Sequence, residues 1–167
     1  MSSLKHALET MNFAHGMLDK MLDTIPADKA FYQIHPTSNH AAWTLGHLAC
    51  TYAWLAATID AKAGAAAPFS LPESYGKLFN MGSKPTADSA GYPALAELRT
   101  QYNATYAAYF KMVEGLSEAD AWSASATDTG GFASSKIDGA YKCAWHDGWH
   151  VGQISDLRRA LGLPPIM

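Results

Sequence analysis

The sequence predicts an all-α protein: a four-helix bundle with long irregular connections between helices two and three and between helices three and four. Three observations predict it. Apolar side chains recur at alternating steps of three and four in four segments of roughly twenty residues each. Neither strand-period alternation nor an internal repeat stands out. Of 167 residues, 49% are hydrophobic and 16% charged, enough apolar side chain for a single packed domain over residues 1–167.

Helix one is expected over residues 3–25. Leu4, Leu8, Met11, His15, Leu18, Leu22 and Ile25 form one stripe, and Pro26 stops it. His15 lies on that stripe, so it reads as a core histidine with a hydrogen-bond partner rather than a residue near a metal. A connector with Pro36 leads to Thr37, Ser38 and Asn39, each a candidate cap for the next helix. Helix two is expected over 39–63, with His40, Trp43, His47, Cys50, Trp54 and Ala57 as its inner stripe and Gly64 ending it.

Residues 65–91 hold Pro68, Pro72, Gly76, Gly82, Pro85 and Gly91, which spell an irregular excursion. Phe69, Leu71, Tyr75, Leu78, Phe79 and Met81 make it too apolar to float free, so it either walls a pocket or caps one end of the core. Helix three is expected over 93–115, with Pro93 in its first turn and Leu95, Leu98, Tyr102, Tyr106 or Thr105, Tyr109, Met112 and Leu116 facing inward. Residues 117–138 are polar and glycine-rich, with Trp122 and Phe132 as anchors. Helix four is expected over 139–161, stopped by Gly162 and Pro164-Pro165.

Composition excludes several classes of function. A formal net charge of -3, with Arg158 and Arg159 the only adjacent cations, gives no footprint for nucleic acid. No uncharged apolar run reaches membrane-spanning length, and the start of the chain lacks the pattern of a secretory signal, so the expected location is the cytoplasm. Cys50 and Cys143 read as buried thiols in a reducing compartment.

The chemistry concentrates in two segments. His146 and His150 are four apart on a helix, so their rings stack on one face and can hold one divalent metal between them. A third ligand is expected from helix two, where His47 is central and His40 sits at the mouth. Three neutral imidazoles with an open position suit catalytic zinc, and nickel or other divalent ions too. Such a metal lowers the pKa of bound water or of a thiol.

Gln153, one turn beyond His150, either orients a ligand or makes a plain helix–helix hydrogen bond. Trp43 belongs to the same neighbourhood. Cys50 and Cys143 are each three residues from a candidate ligand; burial is the expected state of both, and a fourth ligand the alternative. Asp147 stands where zincins carry a glutamate, but it is a methylene shorter and the extended motif is missing. A di-iron centre needs Glu-x-x-His pairs, which the chain lacks.

Two motifs carry a resemblance. Asn39-His40-Ala41-Ala42-Trp43-Thr44-Leu45-Gly46-His47-Leu48, and His146-Asp147-Gly148-Trp149-His150-Val151-Gly152-Gln153-Ile154 followed by Leu157-Arg158-Arg159-Ala160-Leu161-Gly162, resemble the DinB/YfiT-like superfamily of metal-binding helical bundles. The resemblance implies a four-helix bundle in its minimal stand-alone form, a metal held by His47, His146 and His150, and a homodimer. His40 is one histidine more than that triad.

Characterised relatives implied by the resemblance include mycothiol-dependent maleylpyruvate isomerases and bacillithiol transferases. The expected function is therefore a zinc- or nickel-dependent enzyme, a thiol-dependent S-transferase or isomerase or a hydrolase. It would act on a small electrophile, with a low-molecular-weight thiol as cosubstrate. The alternative is a non-catalytic, stress-linked metal-binding bundle.

Overall fold

The computed structural model describes residues 2–166. The chain forms α1 (Ser3–Asp23), α2 (Ala41–Ile59), α3 (Glu73–Phe79), α4 (Leu95–Glu114), α5 (Glu118–Trp122) and α6 (Lys136–Ala160), joined by short 3-10 turns. Among the described residues there is no strand, only an isolated bridge between Ala124 and Ser135.

The four long helices pack in a ring in which α1 touches α6 and α4, and α2 touches α4 and α6. Direction follows from paired residues. Asn39 meets Gln153 at one end of α2, and a Cβ on Gly139 would meet Thr58 at the other, so α2 and α6 are antiparallel. Tyr141 bonds to the Ser3 carbonyl and His15 lies beside Asp147, so α1 and α6 are parallel. Arg99 reaches Asp19 and Asp23 while Tyr106 reaches Asn12, so α1 and α4 are antiparallel. It follows that α2 and α4 run parallel, which requires the chain to travel back along the full bundle between them. Residues 60–94 make that return.

Helix boundaries follow local chemistry. Ser2 caps α1 through a bond from the Lys5 amide, and Pro26 blocks continuation past Thr24. The cap of α2 is His40, not Thr37, Ser38 or Asn39: its Nδ1 accepts from the Trp43 amide at 3.0 Å. The ring is held for that task between Phe31 and Tyr92, each with its centroid 5.2 Å away. Ser135 caps α6, which therefore starts three residues before the expected Gly139. α2 ends at Ile59, ahead of the expected 63, and Ala63–Ala65 form a separate 3-10 turn.

The core differs from the sequence pattern in three places. On α2 it is built mainly from Leu45, Leu48, Ala49, Tyr52, Leu55 and Ala56, on the side away from the expected stripe, of which Trp43 joins the core. His47 and Cys50 are only half-buried, and Trp54 is 40% exposed, because that stripe faces a cavity rather than the core. On α4, Val113 rather than Met112 completes the inner face. Trp122 does not anchor the 115–135 segment: it is 60% exposed, and Ala121 is the buried residue of α5. Phe132 does pack, edge-on against Trp54.

Residues 65–91 wall the cavity, one of the two roles expected of them, and pack along α2. Phe69, Tyr75 and Phe79 are buried, while Asn80, Met81, Gly82 and Ser83 line the cavity. Phe79 lies against Gly46 so closely that a Cβ there would sit 2.6 Å from the ring. The missing side chain thus admits α3 against α2 one residue before His47.

Candidate metal centre

His47 from α2 and His146 and His150 from α6 converge on one point. One ring nitrogen from each lies within 4.8 Å of the other two. Antiparallel packing brings the middle of α2 level with the middle of α6. The four-residue spacing then places both α6 rings toward α2.

Neighbours fix two of the rings. The carbonyl of Phe79 can only accept, so His47 donates its Nδ1 proton to it at 2.7 Å, and Nε2 keeps its lone pair. His150 Nδ1 bonds to Gln153 Oε1 at 3.0 Å, an oxygen that also accepts from Asn39 at 3.1 Å. Trp43 stacks on His47 with centroids 4.5 Å apart, and its own Nε1 donates to the Leu78 carbonyl and to Ser83. Carbonyl and amide partners of this kind set the tautomer and orientation of metal-ligating histidines. His146 differs, since its buried Nδ1 has no hydrogen-bond partner among the described residues.

Burial keeps all three rings neutral. It lowers His47, with the Phe79 bond opposing; it brings His146 down to about 4, assisted by His47, and His150 to about 3, assisted by His146 and His47. Neutral imidazole is the ligating form.

The spacing also fits a cation. His47 Nε2 and His146 Nε2 are 3.3 Å apart. Bonds of roughly 2.0–2.1 Å at a tetrahedral angle separate ligand nitrogens by about 3.3 Å. A cation between them gives the inward lone pairs a common partner.

A cavity of about 1130 Å³ opens onto the triad, with Trp43, Cys50, Thr51 and Trp54 on one wall and Trp145, Trp149 and Gln153 on another. Of the other residues singled out from the sequence, Trp43, Cys50 and Gln153 are at the site. His40 is not at its mouth: it is fully buried at the α2 cap, outside the cavity lining. Cys143 is buried in the core beside Asp147 and the tyrosines, again outside the lining. Burial pushes the Cys50 thiol up to about 11, and its Sγ faces the Tyr75 carbonyl at 3.8 Å. Neither thiol joins the group of potential ligands.

Asp147 points away from the triad. It is fully buried, accepts from Tyr52 at 2.9 Å, and lies 3.8 Å from His15. His15 in turn stacks on Tyr106 and contacts the hydroxyls of Tyr52 and Tyr102, so it is a partnered core histidine, as expected. Burial pushes the Asp147 carboxyl up to about 8, although the Tyr52 bond acts in the opposite direction. This polar cluster ties α1, α2 and α4 to the back of the helix that carries two triad members.

Sequence reasoning missed the cluster because its members are scattered over the four long helices. It missed the Phe79 carbonyl because a main-chain acceptor leaves no mark in side-chain identity.

No curated protein matches the sequence. The family model of the DinB superfamily matches residues 11–154, a span that includes all three converging histidines. The chain belongs to the DinB superfamily.

Proposed function

We propose that His47, His146 and His150 hold a divalent metal, zinc or nickel, in a DinB-type four-helix bundle, and that the protein is a metal-dependent enzyme acting on a small electrophile. The observation that carries this reading is the convergence of three neutral imidazoles at the floor of a cavity. When bound, the metal supplies a Lewis acid that favours the deprotonated form of a thiol or a water. Thiol-dependent transfer or isomerisation, and hydrolysis, both follow from that chemistry.

The chain's own residues do the rest. Phe79 and Gln153 hold two rings with their free nitrogens inward. Trp43 covers one side of His47. Among the described residues no fourth histidine, cysteine or carboxylate completes the group, and the open cavity adjoins it. That favours a catalytic site over the closed, four-ligand site of a structural metal. No helix among the described residues is long and apolar enough to cross a membrane. The reading also includes a homodimer, taken from the family resemblance, and a cytoplasmic location, taken from the sequence pattern.

The test is metal content. After loading with zinc or nickel, the wild type should carry one ion per triad by elemental analysis, and His146→Ala should lose it. Full retention in that variant would overturn the reading. Screening the loaded protein against a panel of thiols and electrophiles then identifies the reaction.

A further inference from the structure

We propose that the cavity above the triad selects a flat aromatic molecule with an uncharged body, gripped by Trp54, Trp145 and Trp149, and that no charged side chain of this protein takes part in recognising it. Among the described residues, the cavity's lining contains no lysine, arginine, aspartate or glutamate. The chain has 27 such residues, so their complete absence from one large concavity is a chemical statement about what enters it.

Tryptophan takes their place. Trp145 and Trp149 are 54% and 56% exposed, in a protein whose other large side chains mostly fill the core. Their rings meet edge-to-face at 5.1 Å and 80°, and both line the cavity. Trp54 stands two turns along α2 from His47, so the wall between triad and tryptophan is about 10 Å long. That length fits a molecule of one or two fused rings, with its polar end at the histidines.

Charge decides the class. A carboxylate or ammonium on the body of the guest would leave water for walls that offer no counter-charge, which is costly. An ammonium could still be drawn to indole faces. With a divalent cation held by three neutral ligands, however, the floor of the cavity is positive and repels it. A neutral ring meets neither penalty and gains offset or edge-on contacts with the tryptophans. A thiol cosubstrate bearing several carboxylates likewise finds no basic side chain here to hold them.

The inference rests on the metal-site reading for the exclusion of cations, but the grip by tryptophan does not need the metal. Three probes of one shape separate these elements: naphthalenemethanol, naphthoate and naphthylmethyl trimethylammonium. Their binding is measured by tryptophan fluorescence and calorimetry on zinc-loaded and on chelator-treated protein. The neutral probe should bind at least tenfold more tightly than the cation in the loaded protein, and than the anion in the metal-free protein. It should lose at least tenfold on combined Trp145→Ala and Trp149→Ala replacement, which removes exposed side chains and leaves the core intact.

Tighter binding of the anion without metal, tighter binding of the cation with it, or unchanged affinity in the double variant would each overturn the proposal. So would a dimer that dissociates in the double variant while the wild type ignores the neutral probe, since the tryptophans would then be covered by a second copy. If the wild type holds zinc but no neutral probe, only this proposal fails. If it holds the probe through its tryptophans but no zinc, only the metal reading fails.

Discussion

Replacing Gly46 by alanine should damage the metal centre without touching a ligand. The added Cβ would lie 2.6 Å from three atoms of the Phe79 ring. Ordinary carbon–carbon contacts are about 3.5–4.0 Å, so the ring must retreat by about 1 Å. Phe79 is fully buried, and its carbonyl holds His47 Nδ1 at 2.7 Å. Where the main chain of Phe79 moves with its ring, the carbonyl leaves hydrogen-bond range and the imidazole is free to turn.

Overpacking of this kind costs about 1–3 kcal/mol, and the gain from alanine over glycine in a helix offsets about 1 kcal/mol of it. The net loss of stability should be about 0–2 kcal/mol by urea unfolding. Loss of such a ring partner typically lowers metal affinity about 10–100-fold. Zinc affinity is read by competition with a chelating dye. Gly16→Ala is the control, because a Cβ on that exposed residue of α1 meets nothing within 4 Å. It should leave zinc affinity unchanged and stabilise by up to about 1 kcal/mol. If Gly46→Ala behaves like the control in both assays, the Phe79 buttress is not what orients His47. Adding Phe79→Leu to Gly46→Ala should recover part of both losses, a coupling that a thermodynamic cycle measures.

Three further expectations concern the same helices. Asp147→Asn should gain stability relative to the wild type as pH rises. The folded carboxyl titrates at about 8 against 3.8 for its ordinary value, so between these the folded state holds a proton that the unfolded state releases. Wild-type stability therefore falls by up to about 1.4 kcal/mol per pH unit in that window from this group. The difference in melting temperature between variant and wild type should grow from pH 5 to pH 7; a flat difference would mean Asp147 is ionised in the fold. Gln153→Ala should lower zinc affinity about tenfold with little change in unfolding, because it removes the acceptor that holds His150 Nδ1. Cys50→Ala should retain full zinc by elemental analysis, since its thiol stays protonated and lies outside the triad; loss of the ion would make it a ligand.

The sequence by itself determined the helical class, because a period of 3.6 is written in side-chain polarity over four long segments. It determined the triad as well: His146 and His150 are fixed on one face by spacing alone, and His47 stands out as the histidine at the middle of its helix. Periodicity failed where a face looks inward without being core. The α2 stripe of Trp43, His47, Cys50 and Trp54 has the apolar aromatic character of a core stripe, yet it walls a cavity, while Leu45, Leu48, Tyr52 and Leu55 opposite do most of the packing.

Only the tertiary structure decided the direction of each helix, since any connection as long as 60–94 or 115–135 can reach either end of a bundle. It alone decided which thiol faces the cavity, that His40 caps α2, and that a Phe79 carbonyl and a buried Asp147 brace the two helices that bear the triad. The physical reason is common to all of these. Main-chain acceptors and residues distant in sequence become neighbours only when the helices have packed, and no local pattern of side chains encodes that packing.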